Sequence, residues 1–274
     1  MELRILRERA AEQIDPDQKK ITLVVSDIEG CLNLDEKTYD FVALEWIRTV
    51  NKLARPDNAL PFITVSSGRQ SAFVEAIIRI LGGRMPALFE NGCGLFFPGR
   101  RLVDECEWHP FLNDPSVLSQ FSEVRLAVTD LCRETGARRV IGKEFLLSLH
   151  PFPPMSALEL RELVDETLSR KSLLATVGDS ASAVDISPQG INKGTGLEWL
   201  ISTLDQGDHF TLPKTAGVGD SNGDLPFLKL VGFPAAPSNA SLEVRALAAY
   251  WPVRADGQGV VDIIQQCINI NLRY

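Results

Sequence analysis

The chain has 274 residues, 45% of them hydrophobic, with 28 Lys+Arg against 36 Asp+Glu for a formal net charge of -8. That is apolar material for one large domain or two smaller ones, and it excludes a disordered chain. An acidic balance with no Lys/Arg run lacks the electrostatic footprint of a nucleic-acid binder, although a local basic pocket can still hold a small phosphorylated molecule.

No segment approaches the roughly 18 to 20 apolar residues that cross a bilayer, and the opening MELRILRERAAEQI sets arginines among acids where a signal peptide has an apolar stretch. The expectation is a cytoplasmic protein with no membrane contact. Cys31, Cys93, Cys106, Cys132 and Cys267 are odd in number and scattered without a C-x-x-C pair, which predicts free thiols and no zinc site.

Leu3, Leu6, Ala10 and Ile14 fall at helical spacing, so an amphipathic helix is expected over residues 2–14, ended by Asp15-Pro16-Asp17. Residues 21–26 (ITLVVS) are a continuous β-branched run, the pattern of a strand buried on both faces of a parallel sheet. A helix at 38–54, a strand at 61–65 and a helix at 71–81 stopping at Gly82-Gly83 follow. This rhythm predicts a doubly wound, mostly parallel α/β sheet. It resumes after Asn192: a helix to Leu204, a strand through Ala216 to Val218, a helix around 225–230, a strand near 231–233, a helix at 241–249, a short strand at 250–253 and a last helix from Gln258.

Between these halves the pattern changes. Asp114-Pro115 starts a helix running to Gly136, and strand-like segments follow at 139–141 and 144–150. The capping box Ser156-Ala157-Leu158-Glu159 starts a second helix, followed by strand-like segments at 173–177 and 183–186. The expectation is an inserted α+β module of αββαββ order at 104–190, splitting the core into 1–103, with 1–19 as a helical extension, and 191–274.

In open α/β sheets ligands bind beyond the carboxyl ends of the strands. There the sequence sets Asp27-Ile28-Glu29-Gly30-Cys31, then Ser66-Ser67-Gly68-Arg69, and later Gly219-Asp220-Ser221-Asn222-Gly223-Asp224, with Asn192-Lys193-Gly194 opening a helix. Carboxylates from two strand ends, hydroxyls from a third and a lysine form a set suited to hold Mg2+ and a phosphate together. Taken singly, Asp27 or Asp220 is equally well an ordinary N-cap, and Ser66-Ser67 a loop. The set in order outweighs those readings.

That order resembles the haloacid dehalogenase superfamily, in particular its sugar-phosphatase branch with a large α/β cap (Cof-like, sucrose-phosphate and mannosyl-3-phosphoglycerate phosphatase-like). Pro86-Ala87-Leu88-Phe89-Glu90-Asn91-Gly92, Asp185-Ile186-Ser187-Pro188-Gln189-Gly190, Asn239-Ala240 and Asp256-Gly257-Gln258-Gly259-Val260 extend the resemblance over nearly the whole chain after residue 20. It implies Asp27 as the nucleophile that takes the phosphoryl group, and Glu29 as the acid/base with its backbone carbonyl at the metal. It also implies Ser67 on the phosphoryl oxygens, within the loop Ser66, Ser67, Gly68 and Arg69, and Lys193 as the neutralising cation. Asp27, Glu29, Asp220 and Asp224 would then hold Mg2+. Arg69 is divided between substrate contact and a surface ion pair, and Asn91 between substrate contact and turn geometry.

Three positions depart from the family pattern: Glu29 where Asp is usual, Cys31 where Thr is usual, and Gly223 where many relatives have Asn, a role open to Asn222. The Asp-Ile-Glu-Gly run resembles the enolase-phosphatase branch, which accepts Glu. The expected activity is Mg2+-dependent hydrolysis of a sugar or sugar-acid phosphate by a monomer or homodimer. Two alternatives stay open: a phosphotransferase or mutase on the same scaffold, and a weakened relative that only binds a phosphorylated metabolite.

Overall fold

The computed structural model describes residues 19–33, 38–99, 105–179, 182–204 and 207–274, so the helix expected at residues 2–14 lies outside them. The chain lays down β1 (Leu23–Ser26), α1 (Phe41–Leu53), β2 (Phe62–Val65) and α2 (Ser71–Ile80), then β3 (Ala87–Phe89), β4 (Gly94–Phe96) and β5 (Cys106–Trp108). Next come α3 (Pro115–Thr135), β6 (Arg138–Arg139), β7 (Leu147–His150), α4 (Ala157–Arg170), β8 (Ala175–Asp179) and β9 (Val184–Pro188). The last stretch holds α5 (Lys193–Thr203), β10 (Thr215–Val218), α6 (Leu225–Leu228), β11 (Phe233–Ala235), α7 (Leu242–Leu247) and α8 (Asp256–Asn271).

A parallel sheet runs in the order β11-β10-β1-β2. All four residues of β1 are buried because helices cover both faces. Val24 joins Leu44, Ile47, Ile263 and Ile264 from α1 and α8, whereas Leu23 and Val25 join Leu197, Leu200 and Phe227 from α5 and α6. That split is the two-residue period of a strand. From β1 the chain moves out to β2 on one side and later returns to β10 on the other. The strand order therefore reverses between β1 and β10, and the crevice beyond their carboxyl ends is the natural ligand site.

Residues from α3 through β9 form the expected αββαββ arrangement, an antiparallel sheet in the order β6-β7-β9-β8 with α3 and α4 packed on it. Its core is Phe121, Val128, Leu147, Leu149, Val164 and Ile186, separate from the two clusters of the parallel sheet. Local signals set its helix ends. Asp114 Oδ1 accepts from Ser116 N at 2.8 Å, Gly136 closes α3 with φ 76°, and the Ser156–Glu159 capping box is formed in both directions.

Some elements differ from expectation. The strand expected at 250–253 reduces to one bridge between Ala235 and Tyr250, since Pro252 has no N–H to continue a ladder. The strand expected at 231–233 is displaced to Phe233–Ala235, because Gly232 is tied by its N–H bond to Leu212 O at 2.9 Å, before the β10 ladder begins at Phe233. β6 is two residues long and starts one residue before the expected segment at 139.

Candidate active site

Asp27 is the first residue beyond β1. Its N–H donates to Val218 O, the end of β10, at 2.8 Å, which carries the ladder one step past the strands. Its Oδ1 accepts from Ile28 N at 2.7 Å, and its Oδ2 lies 2.8 Å from Lys193 Nζ. Three residues on, Gly30 has φ 75°, and a Cβ there would lie 2.1 Å from Asp220 Oδ2. Glycine is therefore required for the acid of the β10 loop to come beside the β1 loop. Asn239 fixes that loop from the other side: its Nδ2 donates to Gly30 O at 2.7 Å, and its Oδ1 accepts from Asp256 N, at the start of α8, at 3.1 Å.

Lys193 is the first residue of α5, placed by its neighbour Asn192, whose Oδ1 caps Gly194 N at 2.8 Å and Thr195 N at 3.2 Å. The buried ammonium bridges Asp27 Oδ2 and Asp224 Oδ1, the latter at 2.6 Å. Burial alone would lower its pKa, but Asp224 and Asp27 outweigh it and hold the lysine charged. Both Asp224 oxygens are committed, since Oδ2 accepts from Asp220 N at 2.9 Å and from Ser221 N at 3.0 Å. Asp224 thus ties the β10 loop to the lysine. Among the described residues Asn222 makes no side-chain hydrogen bond, so it does not take over the role of an Asn at Gly223; the two aspartates orient the lysine directly.

Asp27, Asp220 and Asp224 each offer a carboxylate oxygen within 4.8 Å of the others. Burial pushes the Asp27 carboxyl well up, Lys193 pulls it back, and the neighbouring acids Asp224, Asp220 and Glu29 push it up again. One ammonium facing three carboxylates leaves an excess of negative charge that a buried site does not hold without a cation. An all-oxygen donor set of that charge fits a hard divalent ion. Burial also raises the Cys31 thiol, with Asp220 and Asp27 adding to it, so Cys31 stays a neutral packing group.

Glu29 lies outside the three-carboxylate cluster. Its Oε1 accepts from Arg69 Nε at 2.6 Å and its Oε2 from Ser67 Oγ at 3.1 Å. The extra methylene lets the carboxylate span from the β1 loop to the β2 loop. Ser67, expected on the phosphoryl oxygens, and Arg69, divided between substrate contact and an ion pair, are both here on Glu29, and the Arg69 guanidinium also stacks on Phe73 at 5.0 Å. Ser66 is fully buried with no hydrogen bond from its Oγ and does not reach the crevice. Gly68 does line it, where a Cβ would lie 3.1 Å from Asn91 Oδ1.

The crevice continues under the αββαββ unit as a cleft of about 350 Å3, lined by Asp27, Glu29, Arg69, Asn91, Lys193 and Asp220 below and by Lys143, Ser148, His150 and Asp185 above. The joint between the two parts is at Glu90 and Asn91, both with positive φ (49° and 53°). Buried Glu90 accepts three backbone N–H groups from the loop before β7: Glu144 N at 2.9 Å on Oε1, and Phe145 N at 2.6 Å and Leu146 N at 3.0 Å on Oε2. Asn91 Nδ2 donates to Asp185 Oδ2 at 3.1 Å. Sequence reasoning assigned Glu90, Lys143 and Ser148 no role, because the Glu90 partners lie 54 to 56 residues away and Asp185 lies 37 from Ser148, which leaves no spacing to read.

A crevice of this kind suits phosphoryl transfer from a small substrate, and comparison with known proteins agrees. A family model described as haloacid dehalogenase-like hydrolase matches residues 156–264. The phosphoglycolate phosphatase of Methanothrix thermoacetophila is 38% identical over 251 residues, covering 89% of this chain and 96% of that relative. A solved structure from Thermoplasma acidophilum superposes with TM-score 0.69 at 19% identity, covering 91% of this chain and 99% of the other. The sucrose-phosphatase of Synechocystis, in complex with sucrose and phosphate, gives 0.67 at 15% identity, covering 91% and 98%. The chain belongs to the haloacid dehalogenase-like hydrolases and is a phosphatase of a small phosphorylated metabolite. Among the described residues no helix is long and apolar enough to cross a membrane.

Proposed function

We propose that the chain is a cytoplasmic, Mg2+-dependent phosphatase of a short phosphorylated hydroxy acid of the phosphoglycolate type, acting through a phosphoryl group on Asp27. The observation that carries this reading is the buried triad Asp27–Lys193–Asp224 at the β1/β10 switch point, beneath a cleft sized for a small ligand. The name of the 38% identical relative supports the substrate class. The cap is assigned to 104–190, with the core on either side, and the chain acts as a monomer or homodimer.

Asp27, Asp220 and the Glu29 backbone carbonyl would hold the ion with Asp224 beside them, and the ion would offset the repulsion between phosphate and carboxylates. An Asp27 oxygen attacks phosphorus as the bond to the substrate oxygen breaks, and the departing alkoxide takes a proton from Glu29. Glu29 then removes a proton from water. That water attacks the phosphoryl group, the bond to Asp27 breaks, and phosphate leaves with the carboxylate restored. Lys193, held at a helix N-terminus, stabilises charge on the phosphoryl oxygens throughout. For Glu29 to donate, its carboxyl must first exchange the Arg69 or Ser67 contact for the leaving oxygen.

The test is phosphate release from phosphoglycolate, a panel of sugar and polyol phosphates and an aryl phosphate, with Mg2+ and with chelator. Mg2+-dependent release that favours phosphoglycolate is expected, and Asp27→Asn should abolish it in a folded protein. Release that survives chelation, or an active Asp27→Asn, would overturn the mechanism.

A further inference from the structure

The positive side chains that line the cleft differ in how their charge is met. Lys193 is paired with Asp27 and Asp224, and Arg69 with Glu29. Among the described residues Lys143, on the cap side, makes one hydrogen bond, from Nζ to Ser148 Oγ at 2.6 Å, and no carboxylate lies within ion-pair distance of it. An ammonium carries three N–H donors, so two remain without a partner among the described residues.

The nearest candidate acid is already used. Ser148 Oγ donates to Asp185 Oδ1, and Asp185 Oδ2 accepts from Asn91 Nδ2 at 3.1 Å. Asp185 thus orients Ser148, and Ser148 orients the lysine, without a direct carboxylate–ammonium contact. Burial lowers the Lys143 pKa while Asp185 and Glu90 pull it back, as for a half-buried charge met only at a distance. The backbone beside it is held as well: the N–H groups of Glu144, Phe145 and Leu146 all end on Glu90, at the joint with the core. Lys143 is therefore a cation held in position over the phosphoryl site, with donors to spare.

We propose that Lys143 binds a carboxylate of the substrate and is the residue that makes this enzyme prefer phosphorylated hydroxy acids to neutral sugar phosphates; this rests on the phosphatase reading above. A phosphate held between Lys193 and a metal has its charge met by the core. A second anion on the same molecule completes the Lys143 donors with charge-assisted bonds, whereas a neutral hydroxyl leaves the half-buried charge unbalanced. With Ser148 and Asp185 fixing the direction of approach, recognition is by position as well as by charge.

The experiment compares two ligands that differ only in that charge, phosphoglycolate and its neutral amide. kcat/KM is measured for both in the wild type, Lys143→Met and Lys143→Arg. Binding of both is measured by calorimetry in Asp27→Asn and in Asp27→Asn with Lys143→Met, with Mg2+ present. The expected result is that Lys143→Met lowers the phosphoglycolate-to-amide ratio by about ten- to a hundredfold in both turnover and binding, mainly through KM, and that Lys143→Arg restores most of it. An unchanged ratio in folded Lys143→Met, or a wild type indifferent to the charge, overturns the proposal. No phosphate release from any substrate, with the calorimetric preference intact, would instead overturn the phosphatase reading and leave the carboxylate contact standing.

Discussion

Glu90→Gln tests whether the joint between core and cap is held by one buried carboxylate. In the structure both Glu90 oxygens accept, three backbone N–H groups in all, at 2.6 to 3.0 Å. Glutamine keeps one acceptor oxygen. Turned to keep Phe145 and Leu146, it sets its NH2 against Glu144 N, two donors face to face. The lost bond is charge-assisted, worth about 1.5 to 3 kcal/mol, and the two remaining bonds weaken as the charge goes. Removing a buried charge returns part of its desolvation cost, which already raises the Glu90 pKa. The net loss should be about 2 kcal/mol, a fall in Tm of about 4 to 8 °C for a unit of this size. Hydrogen exchange at residues 144–146 should accelerate, and KM for phosphoglycolate should rise because the same loop carries Lys143. A variant with unchanged Tm and unchanged exchange at these amides would refute the account of the joint.

Glu29→Asp shortens the arm that reaches Arg69 and Ser67, so turnover should fall about tenfold to a hundredfold on alkyl phosphates and less on an aryl phosphate, which leaves without a proton; equal losses on both would show that Glu29 only shapes the loop. Gly30→Ala sets a Cβ onto Asp220, whose oxygen is 2.1 Å from the ideal Cβ position; apparent Mg2+ affinity should drop at least tenfold with the overall fold kept, and an unchanged Mg2+ titration would contradict the placement of Asp220. Burial lowers the pKa of His109, whose Nδ1 accepts from Phe111 N at 3.2 Å. A depressed histidine binds its proton more readily in the unfolded chain, so its contribution is full above the unfolded value of about 6.5 and is lost as pH falls toward the folded value. The urea midpoint should decline over that window, and His109→Asn, which keeps an acceptor for Phe111 N, should flatten the decline.

How much of the molecule can be read from its sequence depends on how far each signal reaches. The run at residues 21–26, the caps at Asp114 and Ser156 and the glycine at 136 act within a few residues, and the strands and helices form there with small shifts at their ends. The order of strand-end motifs placed Asp27, Lys193, Asp220 and Asp224 in one crevice because parallel strands deliver their carboxyl ends to a common edge. Pairings inside the crevice are a different matter. That Glu29 takes Arg69 and Ser67, that Asp224 is consumed by the lysine and its own loop, and that Glu90 holds the amides before β7 all depend on side chains 31 to 56 positions apart or on a loop folding back on itself. Such contacts follow from packing geometry, which no local pattern encodes. The shift at 231–233 has the same origin, since a bond from Gly232 N to Leu212 O, 20 positions away, overrode a local preference for strand. Residue types thus determined which chemistry was available at each strand end, and tertiary structure decided which groups meet their partners in the protein and which, like Lys143, are left to meet a substrate.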